Sequence, residues 1–251
     1  MDRDGIRKAR SVRSNSNPVL IGFSAVLENL GPMIILWAVA VATAFGYYSI
    51  PRVTDVLNLL AQWQMRGGWY ASFLTRFVFC GLLPGVFILS MKRLKARSPL
   101  SVVGVQTLLA GICGVVSGWA YELNAYWFGT GIDFVTVLVK TFVYQFVWVV
   151  VFFMPLGSVV YFWIGRDFSL RRTVSGWPHD FLRDVFLPNL IANWSIWVPL
   201  SLVIHLFPTP LQIQVTGLAN AFLSVVLLTL GRREVTSRSV RRTGASGDSS
   251  G

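Results

Sequence analysis

The chain has 251 residues, of which 54% are hydrophobic and only 13% are charged, whereas a soluble domain usually carries about 25% charged residues. Its apolar residues occur in long blocks, and the mean hydropathy is +0.59, which excludes an ordinary soluble domain and indicates a polytopic membrane protein. The net charge is +11, and most of the basic residues lie between and outside these blocks. We therefore expect the basic loops to bind anionic lipid head groups rather than nucleic acid.

Six apolar runs are each long enough to cross a bilayer core of about 30 Å as a helix. In chain order they cover residues 30–50, 69–91, 100–121, 134–165, 186–207 and 211–230, the last two being joined by Pro208-Thr209-Pro210. Leu57, Leu59, Leu60 and Trp63 indicate a short interfacial helix within residues 52–68, before the second run. The fold class expected is therefore an all-α transmembrane bundle of about six spans.

The chain ends frame this bundle. Residues 1–17 form a basic flank that we expect to be flexible, and residues 231–251 form an Arg-, Ser- and Gly-rich tail that we expect to be disordered. We divide the part between them into a two-span region, 18–99, and a four-span region, 100–230.

The basic residues test the number of spans. Six spans place eighteen Lys and Arg side chains on one face, in the two chain ends and the second and fourth loops, and only Arg52 and Arg66 on the other. Positive residues concentrate on the cytoplasmic side of a membrane. The distribution therefore predicts that both termini lie on the same side. With one span more or fewer, the basic residues would no longer be concentrated on one face.

The fifth run contains a motif that points to a family. Asn193, Trp194, Trp197 and Pro199 are followed by Pro210-Leu211 and by Ala219-Asn220, while upstream residues add to the pattern: Gly114, Gly118-Trp119, Leu123-Asn124, Lys140 and Gln145. Over residues 101–230 the chain resembles the Mpv-seventeen or peroxisomal-membrane-protein-twenty-two family of small integral membrane proteins. That resemblance implies a pore or small-solute channel of an organelle membrane, the mitochondrial inner membrane being favoured and the peroxisomal membrane the alternative.

The sequence departs from the family pattern at several polar positions. Tyr144 stands where the family has Asp, Ser201 and Ile204 where it has Gln and Asn, and Gln214 where it has Arg. The missing polar groups favour a second hypothesis, a non-catalytic scaffold that stabilises a membrane complex. A third hypothesis is a membrane enzyme that uses His205 or His179.

Polar, proline and tryptophan residues within the spans are the candidate pore or helix-packing residues, because ionisable side chains in hydrocarbon normally face protein or water. They are Arg76, Lys140, Gln145, Asn193, Trp194, Trp197, Pro199, His205 and Asn220. For Lys140, near the start of its span, reaching up to the head groups and facing an aqueous cavity are both open. Asn193, Gln145 and Asn220 are either hydrogen-bonding contacts between helices or pore-lining groups.

Gly114 and Gly118 are four residues apart, a spacing that lets two helix backbones approach closely. Cys80 and Cys113 lie inside apolar runs and fit neither a disulfide framework nor a metal site. We expect no metal, no cofactor and no enzymatic activity, and a homo-oligomer is possible.

Overall fold

The computed structural model describes residues 26–27, 30–90, 98–175, 181–182 and 186–224. These residues are almost entirely helical, and none of them forms a strand, so the all-α prediction is confirmed. In chain order the helices are α1 Leu30–Ser49, α2 Pro51–Arg76, α3 Leu83–Ser90, α4 Pro99–Phe128, α5 Phe134–Val143, α6 Met154–Ile164, α7 Leu170–Ser175, α8 Leu187–Ile204 and α9, residues 209–224.

Within the described residues, five helical stretches are long and apolar enough to cross a membrane. They are Leu30–Ser49, Pro51–Ser90, Pro99–Phe128, Phe134–Ile164 and Leu187–Ile204. This architecture is compatible with an integral membrane protein. The sixth predicted span is helical as far as residue 224, and its last residues lie outside the described part. Both termini and the basic turn at 92–97 also lie outside it, so their sidedness stays a prediction.

Gly68 divides the long stretch Pro51–Ser90 into two parts. Its φ of 51° and ψ of −127° break the helical path, in a region of backbone conformation that glycine tolerates and side-chain-bearing residues rarely adopt. Before the break lies the segment expected at the interface, opened by Pro51 at the first helical position. After it comes the second apolar span.

Two segments of the bundle wind more widely than an α-helix. Phe77–Leu82 and Tyr144–Phe153 are π-helical, with hydrogen bonds from residue i+5 to residue i. Each ends two residues before a proline, Pro84 in the first case and Pro155 in the second. Because proline has no N–H to donate and its ring crowds the preceding turn, a wider turn there accommodates the ring without ending the helix.

The chain forms two compact units. Among the described residues, unit A consists of Pro32–Glu122 and residues 207–224, and so holds nearly all of α1, α2 and α3, most of α4, and α9. Unit B consists of the described residues within Leu123–Leu206, with α5 to α8, and those before Pro32. The predicted boundaries at residues 17 and 230 lie outside the described residues.

Gly114 and Gly118 lie where α4 packs closely on α2 in unit A. A Cβ atom added at Gly118 would lie 2.6 Å from Ser72 Oγ, and one added at Gly114 would overlap the backbone oxygen of Ser72 and the stem of Arg76. By contrast, a Cβ atom added at Gly104 on the same helix would lie in open space. The two glycines therefore allow the helices to approach to a distance that larger residues would prevent.

Candidate functional site

Unit A contains a layer of buried polar side chains within its apolar helices. Gln64, Ser72 and Thr75 on α2 and Gln214 on α9 are each 5% exposed or less. The Gln214 amide donates from Nε2 to Gln64 Oε1 at 2.8 Å, and its Oε1 accepts from Thr75 Oγ1 at 2.8 Å. Gln64 Nε2 in turn donates to Ser72 Oγ at 2.8 Å and to the Gly68 carbonyl at 3.0 Å. Two helices are thus joined by a continuous hydrogen-bonded chain.

A second polar group joins α4 to α9. Thr216 Oγ1 donates its hydrogen to the Gln212 carbonyl at 2.6 Å, so at its 2.8 Å contact with Tyr121 the phenol must be the donor. Gln212 Nε2 donates to the Phe207 carbonyl at 2.9 Å and thereby holds the start of α9 to the preceding turn.

A cleft of about 100 Å³ opens beside these two groups. It is lined by Gln64, Met65, Gly68, Gly118, Tyr121, Glu122, Thr209, Pro210 and Ile213, all of which belong to unit A. Gln64 and Tyr121 are buried, whereas the Glu122 side chain is exposed. The cleft therefore gives the solvent or head-group region access to the edge of the buried polar layer.

Arg76 lies one helical turn beyond Ser72 on the face of α2 that meets α4. Its Nη2 donates to Ser117 Oγ at 3.1 Å, and its Nη1 lies 3.9 Å from Cys80 Sγ. The arginine is thus tied to the neighbouring helix rather than extended to a head group.

Lys140 fixes the loop that precedes α5. The side chain is only 2% exposed, and Nζ donates to the carbonyl oxygens of Gly129 at 3.2 Å and Gly131 at 3.4 Å. Its own carbonyl accepts from Asn124 Nδ2 at 3.2 Å. The ammonium group turns toward the loop end of its helix, as a snorkelling lysine would, but its partners are backbone oxygens of the protein.

Asp133 begins α5 as its N-terminal cap. Its carboxylate accepts from the Thr136 backbone N–H at 3.0 Å, a contact that satisfies one of the unpaired donors at the helix start. The same hydrogen bond stabilises the charged form and lowers the pKa of Asp133 below the usual aspartate value.

Gln145 joins the π-helical segment to α8 in unit B. The residue is 1% exposed. Its Nε2 donates to Ser201 Oγ and, at 3.3 Å, to the Trp197 carbonyl. In return, Trp194 Nε1 donates to the Gln145 carbonyl at 3.0 Å. Trp194 and Trp197 of the Asn-Trp-x-x-Trp-x-Pro motif, together with Ser201 just after it, therefore hold the two helices together through this one glutamine.

His205 ends α8 and is 1% exposed. Its Nδ1 lies 2.8 Å from the Ser201 carbonyl and 3.1 Å from Thr141 Oγ1. Because a carbonyl oxygen can only accept, Nδ1 carries the proton in this arrangement. The ring also meets that of Tyr144 edge-on, with centroids 6.0 Å apart. Among the described residues, no three His, Cys, Asp or Glu side chains form a group that could hold a metal ion.

The remaining candidates lie in less connected places. Asn193 has a buried Nδ2 that finds no hydrogen-bond partner among the described residues. Pro199 lies within α8, where it removes one backbone hydrogen bond. Asn220 Nδ2 donates to the Thr216 carbonyl within its own helix at 3.0 Å. Lys140 and Gln145 thus make separate contacts with the loop and with α8, and whether any of these residues lines a pore stays a prediction.

The connected polar residues of unit A are not among the predicted site residues. Gln64, Ser72, Thr75 and Thr216 fall in ordinary-looking helical sequence, and Gln214 enters only as a departure from the family pattern. A signal was present in the paired glutamines, Gln212 and Gln214, at the start of a largely apolar span. A glutamine there must find a partner, since burying an amide without one costs about 1–3 kcal/mol in proteins.

Comparison with known proteins adds no assignment. No protein-family model, no curated protein and no solved structure matches this chain. The resemblance to the Mpv-seventeen family therefore rests on the residues of the motif.

Proposed function

We propose that the protein is a pore or small-solute transporter of an organelle membrane. The observation that carries the proposal is the cleft of unit A and the buried polar layer that continues from it, formed by Gln64, Gln214, Ser72 and Thr75. A membrane helix that needed only to be held in lipid could use apolar contacts throughout. Polar side chains inside spans are costly and typically mark solute paths or contacts between helices.

The resemblance to the Mpv-seventeen family supports the same proposal independently of the cleft. It also favours the mitochondrial inner membrane, with the peroxisome as the alternative. A fluorescent fusion of the full chain, imaged beside markers for both organelles, tests the location, and a signal confined to the endoplasmic reticulum or plasma membrane would contradict it.

Flux through liposomes that contain only this protein tests the transport proposal. We expect efflux of small solutes above that of protein-free liposomes, varying with voltage, pH or solute. The matched variants are Gln214→Leu, in the polar layer, and Gly104→Ala, on the same unit but in open space. Flux that changes in the first and persists in the second supports the proposal. No flux from correctly folded parent protein under any of these conditions contradicts it.

The scaffold hypothesis has an observation of its own in its favour. In the polar layer, both ends of the Gln214 amide on α9 are bonded to side chains of α2, as a group that holds helices together would be. The two N–H groups of Gln64 are bonded within α2, across its break at Gly68. This function predicts a stoichiometric partner after extraction with a mild detergent. A lone protein that supports flux would contradict it.

A further inference from the structure

The cleft of unit A is formed by three parts of the chain that meet at one end of their helices. Gln64, Met65 and Gly68 come from the break in α2, Tyr121 and Glu122 from the last third of α4, and Thr209, Pro210 and Ile213 from the start of α9. The six-span prediction assigns these three connections to the same membrane face, the one with only Arg52 and Arg66 against eighteen basic residues opposite. The cleft thus opens on the less basic face.

The charge of the cleft is negative. Glu122 supplies a carboxylate, and the nine lining residues include no Lys, Arg or His. The charge is exposed at the mouth, where it can attract a cation before the cation sheds its water. An anion would meet repulsion at the same place.

The polar groups behind the mouth offer oxygen atoms rather than hydrogens. Gln64 donates both of its amide hydrogens inside the protein, to Ser72 Oγ and to the Gly68 carbonyl. Tyr121 donates its hydroxyl hydrogen to Thr216, whose own hydrogen is given to a backbone carbonyl. A ligand in the cleft therefore meets the carboxylate of Glu122 and lies beside Gln64 and Tyr121, whose hydrogens are already donated within the protein, so the cleft favours a positively charged donor.

The size of the cleft limits the ligand. The cleft has a volume of about 100 Å³. Drug-sized ligands occupy pockets of about 300–1,000 Å³. The occupant is therefore a solute of a few heavy atoms.

From this geometry we propose that the cleft binds a small ammonium-type cation, with Glu122 as its charged ligand. This proposal rests on the transport proposal, because it names the class of solute that the pore or transporter would carry. Its binding step can be measured without any flux.

The test is equilibrium binding of radiolabelled methylammonium to the purified full-length protein in detergent, read by scintillation proximity. We expect saturable binding to the parent protein and affinity at least about tenfold weaker in Glu122→Gln, the loss expected for one charge-assisted hydrogen bond. Asp55→Asn is the matched control, because Asp55 is exposed on α2 but does not line the cleft. It should bind within about twofold of the parent, since surface charge is screened by salt.

Three results would overturn the site. They are no saturable binding to the parent, parental affinity in Glu122→Gln, and an equal loss in Asp55→Asn, which would mean that surface charge alone attracts the cation. Thermal unfolding of each variant in the same detergent verifies that it is folded.

Methylammonium flux into liposomes separates the two proposals. Binding that depends on Glu122 without flux leaves the site standing and refutes transport. Flux that is equal in parent and Glu122→Gln, with no measurable binding, refutes the site and leaves transport standing.

Discussion

Gln64 and Gln214 are 150 residues apart in sequence, yet they share a hydrogen bond of 2.8 Å in the buried layer of unit A. We predict that the two side chains stabilise the fold as a pair. Gln214→Leu removes the donor to Gln64 Oε1 and the acceptor of Thr75 Oγ1. Thr75 retains the Ala71 carbonyl at 2.9 Å, so the lasting cost is a buried Gln64 oxygen without a donor.

That cost can be estimated. A buried polar atom left without its partner costs about 1–3 kcal/mol, and hydrogen bonds between membrane helices average about 0.6 kcal/mol, with a maximum of about 1.7. We therefore expect Gln214→Leu to lower the free energy of unfolding by about 1–2 kcal/mol. Gln64→Leu should cost at least as much, because it also removes the donors to Ser72 and Gly68.

The double variant decides whether the two residues act together. In Gln64→Leu with Gln214→Leu, neither side chain leaves the other unpaired, so the combined loss should fall short of the sum of the single losses by about 0.6–1.7 kcal/mol. The assay is reversible unfolding in mixed micelles, followed by circular dichroism, for the parent, both single variants and the double variant. Losses that add within about 0.3 kcal/mol would refute the pairing.

Three further changes have expected results. Gly114→Ala should destabilise the protein by about 1–3 kcal/mol in the same unfolding assay, because its methyl group overlaps the Ser72 backbone. Gly104→Ala has open space around its methyl group and should be neutral or slightly stabilising. Equal effects of the two substitutions would contradict the close approach of α2 and α4 at Gly114. Lys140→Met should release the loop carbonyls of Gly129 and Gly131 and raise proteolytic cleavage of that loop; an unchanged cleavage rate would argue against the loop-holding role. The folded-state pKa of Asp133 is lowered, so its carboxylate should stabilise the start of α5 at pH values above the ordinary aspartate pKa of about 3.9. This stabilisation should be lost as the pH falls below that value. The free energy of unfolding should therefore vary less with pH over this range in Asp133→Asn than in the parent.

The positions of the apolar helices could be predicted from the sequence because a helix that crosses lipid hydrocarbon must be built mostly of apolar residues. A run of about 20 apolar residues is sufficient to recognise each, and Pro51, Pro84 and Pro155 mark where the helices begin or distort. Gly68 was expected only to end the interfacial segment. Its positive φ depends on the local backbone path and has no signal beyond the presence of glycine.

The hydrogen-bond partners of the buried polar residues could not be predicted, because hydropathy measures how unfavourable a polar residue is in a span and carries no information about its partner. Lys140 has three donors, and two of its acceptors are loop carbonyls that carry no sequence signal. Gln145 binds Ser201, and Gln214 binds Gln64 and Thr75. If the resemblance to the Mpv-seventeen family holds, Ser201 and Gln214 replace other polar residues, and their partners in this structure lie on other helices. The effect of a polar residue inside a span therefore follows only once its partner across the helix contact is known.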